Sequence, residues 1–123
     1  MKTLNPKAAA NYLAKKCPDI RNEIMKLSKA QNFAGVMQAV VNYLRTLLAD
    51  AKLKVIGREI GFVGKVYQRG SDYVKDIIEN LFVRSFKGIQ KRCTSEEWTY
   101  LYPKIPADFR KIYLEQNTTQ LKD

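Results

Sequence analysis

Apolar side chains between residues 33 and 51 recur at steps of three and four residues for about five helical turns. An α-helix repeats every ~3.6 residues, so this spacing places the whole row on one face, which must be buried against other parts of the chain. The row therefore predicts a long core helix, and Asn32 stands where a residue that caps its N-terminus is expected. Its members are Phe33, Val36, Met37, Val40, Val41, Leu44, Leu47, Leu48 and Ala51.

Residues that start or end helices divide the rest of the chain into further helical segments. Asn5–Pro6 is a cap followed by proline at the first helical position, and Cys17–Pro18 ends the segment that follows. Gly70–Ser71 joins a residue that suits the end of a helix to one that caps the next. Thr94–Glu97 has the pattern of a capping box, in which two side chains satisfy backbone N–H groups reciprocally. A last helix is predicted over residues 107–116.

A second long apolar row follows the cap at Ser71 and predicts a regular helix. It consists of Val74, Ile77, Ile78, Leu81, Phe82, Phe86 and Ile89. Ser85 lies inside this row. A catalytic serine needs a base, and the chain has no histidine, so we expect the Ser85 hydroxyl to bond a preceding backbone carbonyl instead.

Residues 54–69 are compatible with either one helix or two short strands. Three glycines inside a helix cost ~1 kcal/mol each relative to alanine, which favours the strands. We favour the helix because an apolar row runs unbroken through the segment at Leu53, Ile56, Ile60, Val63 and Tyr67. On that helix Gly57, Gly61 and Gly64 share one edge, where a neighbouring helix could pack closely.

These segments together predict an all-α fold of six or seven helices joined by short connections. Consecutive helices with short turns pack as antiparallel helical hairpins. Such hairpins form either a compact bundle or a short stack like a few HEAT or armadillo repeats, and no sequence repeat forces the stack. We expect a single helical domain over residues 1–116 and a frayed polar tail over residues 117–123.

Composition narrows the classes of function. The chain has no histidine, which removes the usual general base and the usual neutral metal ligand, so we expect a non-enzymatic protein without metal or cofactor. Carboxylate chemistry at Asp72, Asp76 and Glu79 is the remaining enzymatic alternative, although acidic residues at that position also suit the N-terminal end of a helix dipole. No apolar run approaches the ~20 residues of a membrane span, and no secretory signal is visible, so we expect a cytoplasmic protein.

Two cysteines are too few for a disulfide scaffold, so we expect Cys17 and Cys93 to be free thiols. A single bridge between them is the alternative. The cations Lys91 and Arg92 precede Cys93, so a reactive thiol with a lowered pKa is one alternative. We favour an inert thiol, because most lone cysteines are inert.

The strongest candidate for a binding site lies on residues 54–69. A net charge of +10 attracts acidic proteins, phosphate backbones or anionic membranes. On a helix, four cations and one aromatic share the face opposite the apolar row: Lys54, Arg58, Phe62, Lys65 and Arg69. We interpret this stripe as a partner-binding surface for an acidic protein, with Phe62 as an exposed aromatic contact. The alternative is a solvated face whose far end is neutralised by the acidic residues that follow Ser71.

The same basic stripe also supports a nucleic-acid-binding protein as the alternative function. The cations that would extend it toward a phosphate backbone are Lys15, Lys16, Lys26, Lys29, Lys52 and Lys54. Binding of that kind falls steeply with salt and would be visible in a shift assay at low salt.

Three stretches, Asn5–Leu13, Asn32–Leu44 and Asp72–Phe86, together resemble a family of small bacterial helical proteins without assigned activity. Some of these relatives look like immunity proteins that accompany secreted toxins. The resemblance covers most of the chain. It implies an all-helical fold and protein binding of an immunity-like or antitoxin-like kind, and it supplies no catalytic residues. The basic charge departs from the acidic face that an immunity protein usually offers to a basic nuclease.

Overall fold

The long apolar row forms a helix, and the predicted all-α fold is confirmed. The structure, a computed structural model, describes residues 3–122, with side chains as far as residue 118. The α-helices are α1 (Pro6–Lys16), α2 (Arg21–Lys29), α3 (Phe33–Ala49), α4 (Leu53–Arg69), α5 (Asp72–Ile77), α6 (Phe86–Arg92), α7 (Ser95–Leu101) and α8 (Ala107–Lys122). A π-helical turn (Ile78–Phe82) and a 3-10 turn (Val83–Ser85) join α5 to α6 without a break. With that stretch taken as one interrupted helix, the described residues form seven helices.

Helix α3 is the centre of the bundle and packs against α1, α2, α4, α5 and the π-helical turn. The predicted row is buried from Phe33 to Leu48. Its last member, Ala51, instead lies in the turn after α3, with a φ of 56°. This short turn folds α4 back along α3, so the two 17-residue helices pack as a hairpin. Of the two predicted architectures, the structure is the compact bundle and not the repeat stack.

The helix caps act as the sequence predicts. Asn5 and Asn32 each accept a hydrogen bond of 2.8 Å from the backbone N–H three residues further on. Ser71 caps α5 in the same way, at 3.3 Å. Thr94 and Glu97 exchange both bonds of the capping box at the start of α7. Because each cap depends only on neighbours along the chain, local sequence was sufficient to identify it.

Helix α4 is continuous, so the strand alternative for this segment is wrong. Two of its glycines lie against the turn that follows α7. A Cβ atom on Gly64 would stand 2.7 Å from Cγ of Pro106, and one on Gly57 would stand 3.3 Å from Cβ of Lys104. A Cβ atom on Gly61 would meet no atom within 4 Å apart from its chain neighbours and the backbone of its own helix. Close packing therefore explains Gly57 and Gly64, and it does not explain Gly61.

The helix after Ser71 is irregular, which corrects the prediction of a regular one. Four of its buried residues, Val74, Ile78, Phe82 and Phe86, follow one another at steps of four. In an α-helix each step of four overshoots a full turn by about 40°, so three such steps would carry Phe86 off the face of Val74. A π-helical turn is wider and absorbs this drift. Ser85 donates its hydroxyl proton to the carbonyl of Phe82 at 2.5 Å, as predicted.

Helix α8 runs to Lys122 and so continues past its predicted end at residue 116, while residue 123 lies outside the described residues. Its amide side chain Gln116 donates to the carbonyl of Glu79 in the π-helical turn at 2.9 Å. This bond ties α8 to the irregular part of the helix before it. Within residues 3–122, no helix is both long and apolar enough to cross a lipid bilayer.

Candidate functional site

The five predicted site residues share one side of α4. Lys54, Arg58, Lys65 and Arg69 are exposed, and 62% of the Arg58 side chain is accessible to solvent. Phe62 is half-buried, so it is not the exposed aromatic contact that the sequence predicts. The helix thus brings the four cations together at the surface and places the ring at their edge.

A cation from α1 covers Phe62. The Nζ of Lys16 lies 5.3 Å from the centroid of the Phe62 ring and 5.7 Å from that of the Tyr12 ring. An ammonium group near aromatic faces is attracted by their negative π-clouds. The end of α1 therefore joins α4 in one surface. We call it the basic surface and define it as Lys16, Lys54, Arg58, Lys65 and Arg69.

A carboxylate reaches the basic surface at Arg58. The Nη2 of Arg58 lies 3.7 Å from Oε1 of Glu59, the next residue along α4. Lys54, Lys65 and Arg69 have no carboxylate partner in the described part of the chain. Most of the surface is therefore not paired with carboxylates of the described residues.

The acidic residues at the start of α5 do not neutralise the far end of the basic surface, contrary to the predicted alternative. Asp76 accepts a hydrogen bond from Asn80 at 3.0 Å, and Glu79 accepts one from the Tyr67 hydroxyl at 2.6 Å. Burial, and then the Glu79 carboxylate, raise the pKa of the Tyr67 hydroxyl, so it stays a donor. Asp72 forms no ion pair with the residues that the structure describes.

One carboxylate of α4 is buried beside the basic surface. Glu59 is 2% exposed and Cys17 is 1% exposed, and the Cys17 thiol donates to Oε2 of Glu59 at 2.7 Å. Burial, and then this hydrogen bond, raise the pKa of the Cys17 thiol, so at neutral pH it is a protonated donor rather than a nucleophile. Burial also raises the pKa of Glu59, against the opposing effects of Cys17 and Arg58. The pair links the end of α1 to the middle of α4.

Sequence reasoning did not single out Glu59. It is the one acidic residue of α4, and on a helical projection it lies between the basic stripe and the apolar row, beside Val63 and Val66. A lone carboxylate on that boundary was the available signal. Its burial depends on α1, which packs over it, and this packing cannot be deduced from α4 alone.

The pKa of the second cysteine is raised, as suits the inert thiol that we favoured. Both cysteines are free thiols, so the alternative of a bridge between Cys17 and Cys93 is wrong. Burial, and then the carboxylate of Glu97, raise the pKa of Cys93. The alternative of a pKa lowered by Lys91 and Arg92 is therefore wrong, because burial and the Glu97 carboxylate determine the direction of the shift.

A cleft of about 730 Å³ opens between α1, α2, the start of α3 and the start of α5. Its α1 residues face away from Tyr12 and Lys16 on a helical projection, so the cleft and the basic surface lie on different sides of α1. No sequence signal marked it as a site, because its residues come from four helices. The residues that line it are Asn5, Pro6, Lys7, Ala10, Asn11, Met25, Ser28, Lys29, Gln31, Asn32, Phe33, Val36 and Tyr73.

Comparison with known proteins places the chain in a family. The model of a domain of unknown function, DUF7674, matches residues 10–121. This match covers most of the sequence, so the chain belongs to that family. No curated protein and no solved structure matches the chain. Family membership agrees with the resemblance to proteins without assigned activity, and it assigns no role to any residue.

Proposed function

We propose that this member of the DUF7674 family is a non-enzymatic module that binds an acidic protein through its basic surface. The observation that carries the proposal is the row of exposed cations without carboxylate partners in the described residues, Lys54, Lys65 and Arg69. A surface of one sign steers an oppositely charged partner and disfavours partners of like charge. In this way charge complementarity supplies both the attraction and the selectivity.

Two further cations of the basic surface are positioned by the fold. Arg58 lies beside buried Glu59 at 3.7 Å, and Lys16 lies over the rings of Tyr12 and Phe62. A side chain that is already ordered loses less conformational entropy when it binds. Such a fixed pattern of charge suits a folded partner with carboxylates in matching positions. This preorganisation favours a protein over a flexible phosphate backbone as the partner.

The helix that carries the surface is supported along its length. The middle of its apolar row is buried and the two ends, Leu53 and Tyr67, pack against the core half-buried. Two of its glycines lie directly against the turn after α7. A helix of 17 residues is about 25 Å long, enough to cover an acidic patch on another protein. The mechanism we propose is occlusion, in which this rigid face blocks the partner's surface.

Charge reversal tests the proposal. The triple variant Lys54→Glu, Lys65→Glu and Arg69→Glu should lose an acidic protein that the wild-type chain retains from a nuclease-treated extract of its source cell. The three residues are exposed, so we expect the variant to fold, and circular dichroism checks this. Nuclease treatment removes partners that are held only through nucleic acid.

The matched control has the same change in net charge on other helices. It reverses three exposed lysines of α2, α6 and α8, namely Lys26→Glu, Lys91→Glu and Lys111→Glu. The control variant should retain the partner. Equal loss by both variants, or equal retention, would show that the basic surface is not the binding site.

Nucleic acid is tested in the same preparation. Labelled RNA and duplex DNA are titrated at low and high salt, beginning at roughly 50 mM. Affinity that falls steeply with salt and is lost in the first triple variant would favour nucleic acid over protein.

An immunity-like or antitoxin-like role is a narrower form of the proposal. It requires a toxic protein encoded beside this chain's gene. Co-expression of the wild-type chain should then relieve growth arrest by that neighbour, whereas the variant reversed at Lys54, Lys65 and Arg69 should not. Relief by both would place the protective contact elsewhere on the molecule.

A further inference from the structure

The cleft has an apolar floor that can accommodate an apolar body. Ala10, Phe33 and Val36 are buried there, and Met25 is half-buried. Tyr73 is 54% exposed at the edge of the cleft, so its ring offers an open contact surface. A volume of about 730 Å³ falls in the range of ~300–1,000 Å³ that is typical of sites for small organic ligands.

The charged side chains of the cleft are both cationic. Lys7 and Lys29 are exposed and belong to its lining, which contains no carboxylate. Neither lysine has a carboxylate partner among residues 3–122. A concave site lined by charge of one sign concentrates ligands of the opposite sign.

The amides of the lining add hydrogen-bond donors. Asn5 and Asn32 use their Oδ1 atoms to accept hydrogen bonds at the starts of α1 and α3. Their Nδ2 groups have no partner in the described structure and remain available as donors. Together with the two lysines, these groups give the cleft an excess of donors over free acceptors. An acceptor-rich anionic group satisfies that excess.

We infer that this cleft binds a small organic anion with an apolar body. The apolar part lies against the floor and Tyr73, and the anionic group lies between Lys7 and Lys29. The site is independent of the basic surface, because the two face opposite sides of α1. Failure of the partner-binding proposal would therefore leave this one standing.

A matched pair of fluorescent probes tests the inference. 8-Anilinonaphthalene-1-sulfonate has an apolar aromatic body and one anionic group, and N-phenyl-1-naphthylamine has the same body without the charge. The sulfonate should bind the folded chain at one site. The double variant Lys7→Gln and Lys29→Gln should weaken sulfonate binding by about tenfold and leave the uncharged probe nearly unaffected.

The control variant removes two exposed lysines from the same two helices but outside the cleft, Lys15→Gln and Lys26→Gln. It should bind the sulfonate like the wild type. Equal weakening by the two double variants would overturn the inference, because it would show a response to net charge alone. Absence of sulfonate binding to the folded chain would also overturn it.

A further variant tests the contact that Tyr73 makes at the edge of the cleft. Tyr73 is exposed, so Tyr73→Ala should fold normally, as circular dichroism can check. It should weaken the binding of both probes by a similar factor, since it removes a contact with the apolar body that the two probes share. Unchanged affinity for both probes would place them outside the cleft and overturn the assignment.

Discussion

The two edges of α4 are attached to the bundle by different interactions. On the edge that faces α1, buried Glu59 accepts a hydrogen bond from the Cys17 thiol. On the edge that faces the turn after α7, Gly64 allows the backbone to approach Pro106. The first contact requires a chemically matched partner, and the second requires the absence of a side chain. Loss of a hydrogen-bond donor should therefore lower the free energy of unfolding at the edge that faces α1. Added side-chain volume should lower it at the edge that faces the turn after α7.

The largest expected effect is at the polar edge. Cys17→Ala removes the donor to Glu59 and should lower the free energy of unfolding by about 2 kcal/mol, because a buried carboxylate loses a hydrogen-bond partner. Urea unfolding measures the change. Cys17→Ser keeps a donor at the same position and should cost much less. Equal losses for the two variants would show that the hydrogen bond does not stabilise this edge.

Added volume tests the other edge. Gly64→Ala places a Cβ atom 2.7 Å from Cγ of Pro106. The crowding should outweigh the better helix propensity of alanine and leave a net loss of about 1 kcal/mol in the free energy of unfolding. A double-mutant cycle with Pro106→Ala, which removes that Cγ atom, should recover part of the loss. Purely additive effects would contradict the steric explanation.

The pH dependence of stability also distinguishes the two edges, because only the edge that faces α1 carries a buried carboxyl group. Burial raises the pKa of Glu59 above its ordinary 4.5, so the folded state takes up a proton at higher pH than the unfolded state does. Stability conferred by this group must then increase as the pH falls through the folded-state pKa, and level off below 4.5. Relative to Glu59→Gln, the wild type should gain stability in urea titrations as the pH is lowered from neutral toward 4.5. If the difference in stability between the two proteins does not change with pH, or changes in the opposite direction, ionisation of the Glu59 carboxyl does not destabilise the folded state.

The smallest expected effect is a gain in stability at Gly61, and it serves as the control for added volume at Gly64. Apart from its chain neighbours and the backbone of its own helix, no atom lies within 4 Å of a Cβ atom placed on Gly61. Gly61→Ala should therefore raise the free energy of unfolding by about 0.5–1 kcal/mol through helix propensity alone. Thermal unfolding beside Gly64→Ala should show shifts in opposite directions. A loss at both positions would mean that the helix needs glycine for a reason other than contact.

Interactions between neighbours along the chain could be predicted from sequence. The caps at Asn5, Asn32 and Thr94 form as expected, and the apolar rows of α3 and α4 face the core. Each depends on helical periodicity or on a residue three positions away. These signals were sufficient for the fold class and for the position of the basic stripe.

Interactions between helices could not be predicted in the same way. The burial of Glu59, and the cover that Lys16 provides for Phe62, both depend on where α1 packs. The direction of the Cys93 pKa shift could not be decided from sequence, because nearby cations are visible there and burial is not. The cleft was missed for the same reason, since four helices contribute to its lining.

The π-helical turn Ile78–Phe82 marks a place where homologous chains can differ in length by one residue. Deleting one residue there would restore a regular helix and place Phe86 eleven residues after Val74, which is only about 20° from three full turns. Phe86 and Ile89, now buried, would then stay on the face of the core. A one-residue alignment gap within this turn is thus tolerable, whereas the same gap in the regular part of a helix would rotate everything after it by about 100°. Homologues that keep four-residue spacing through this stretch should keep the turn as well.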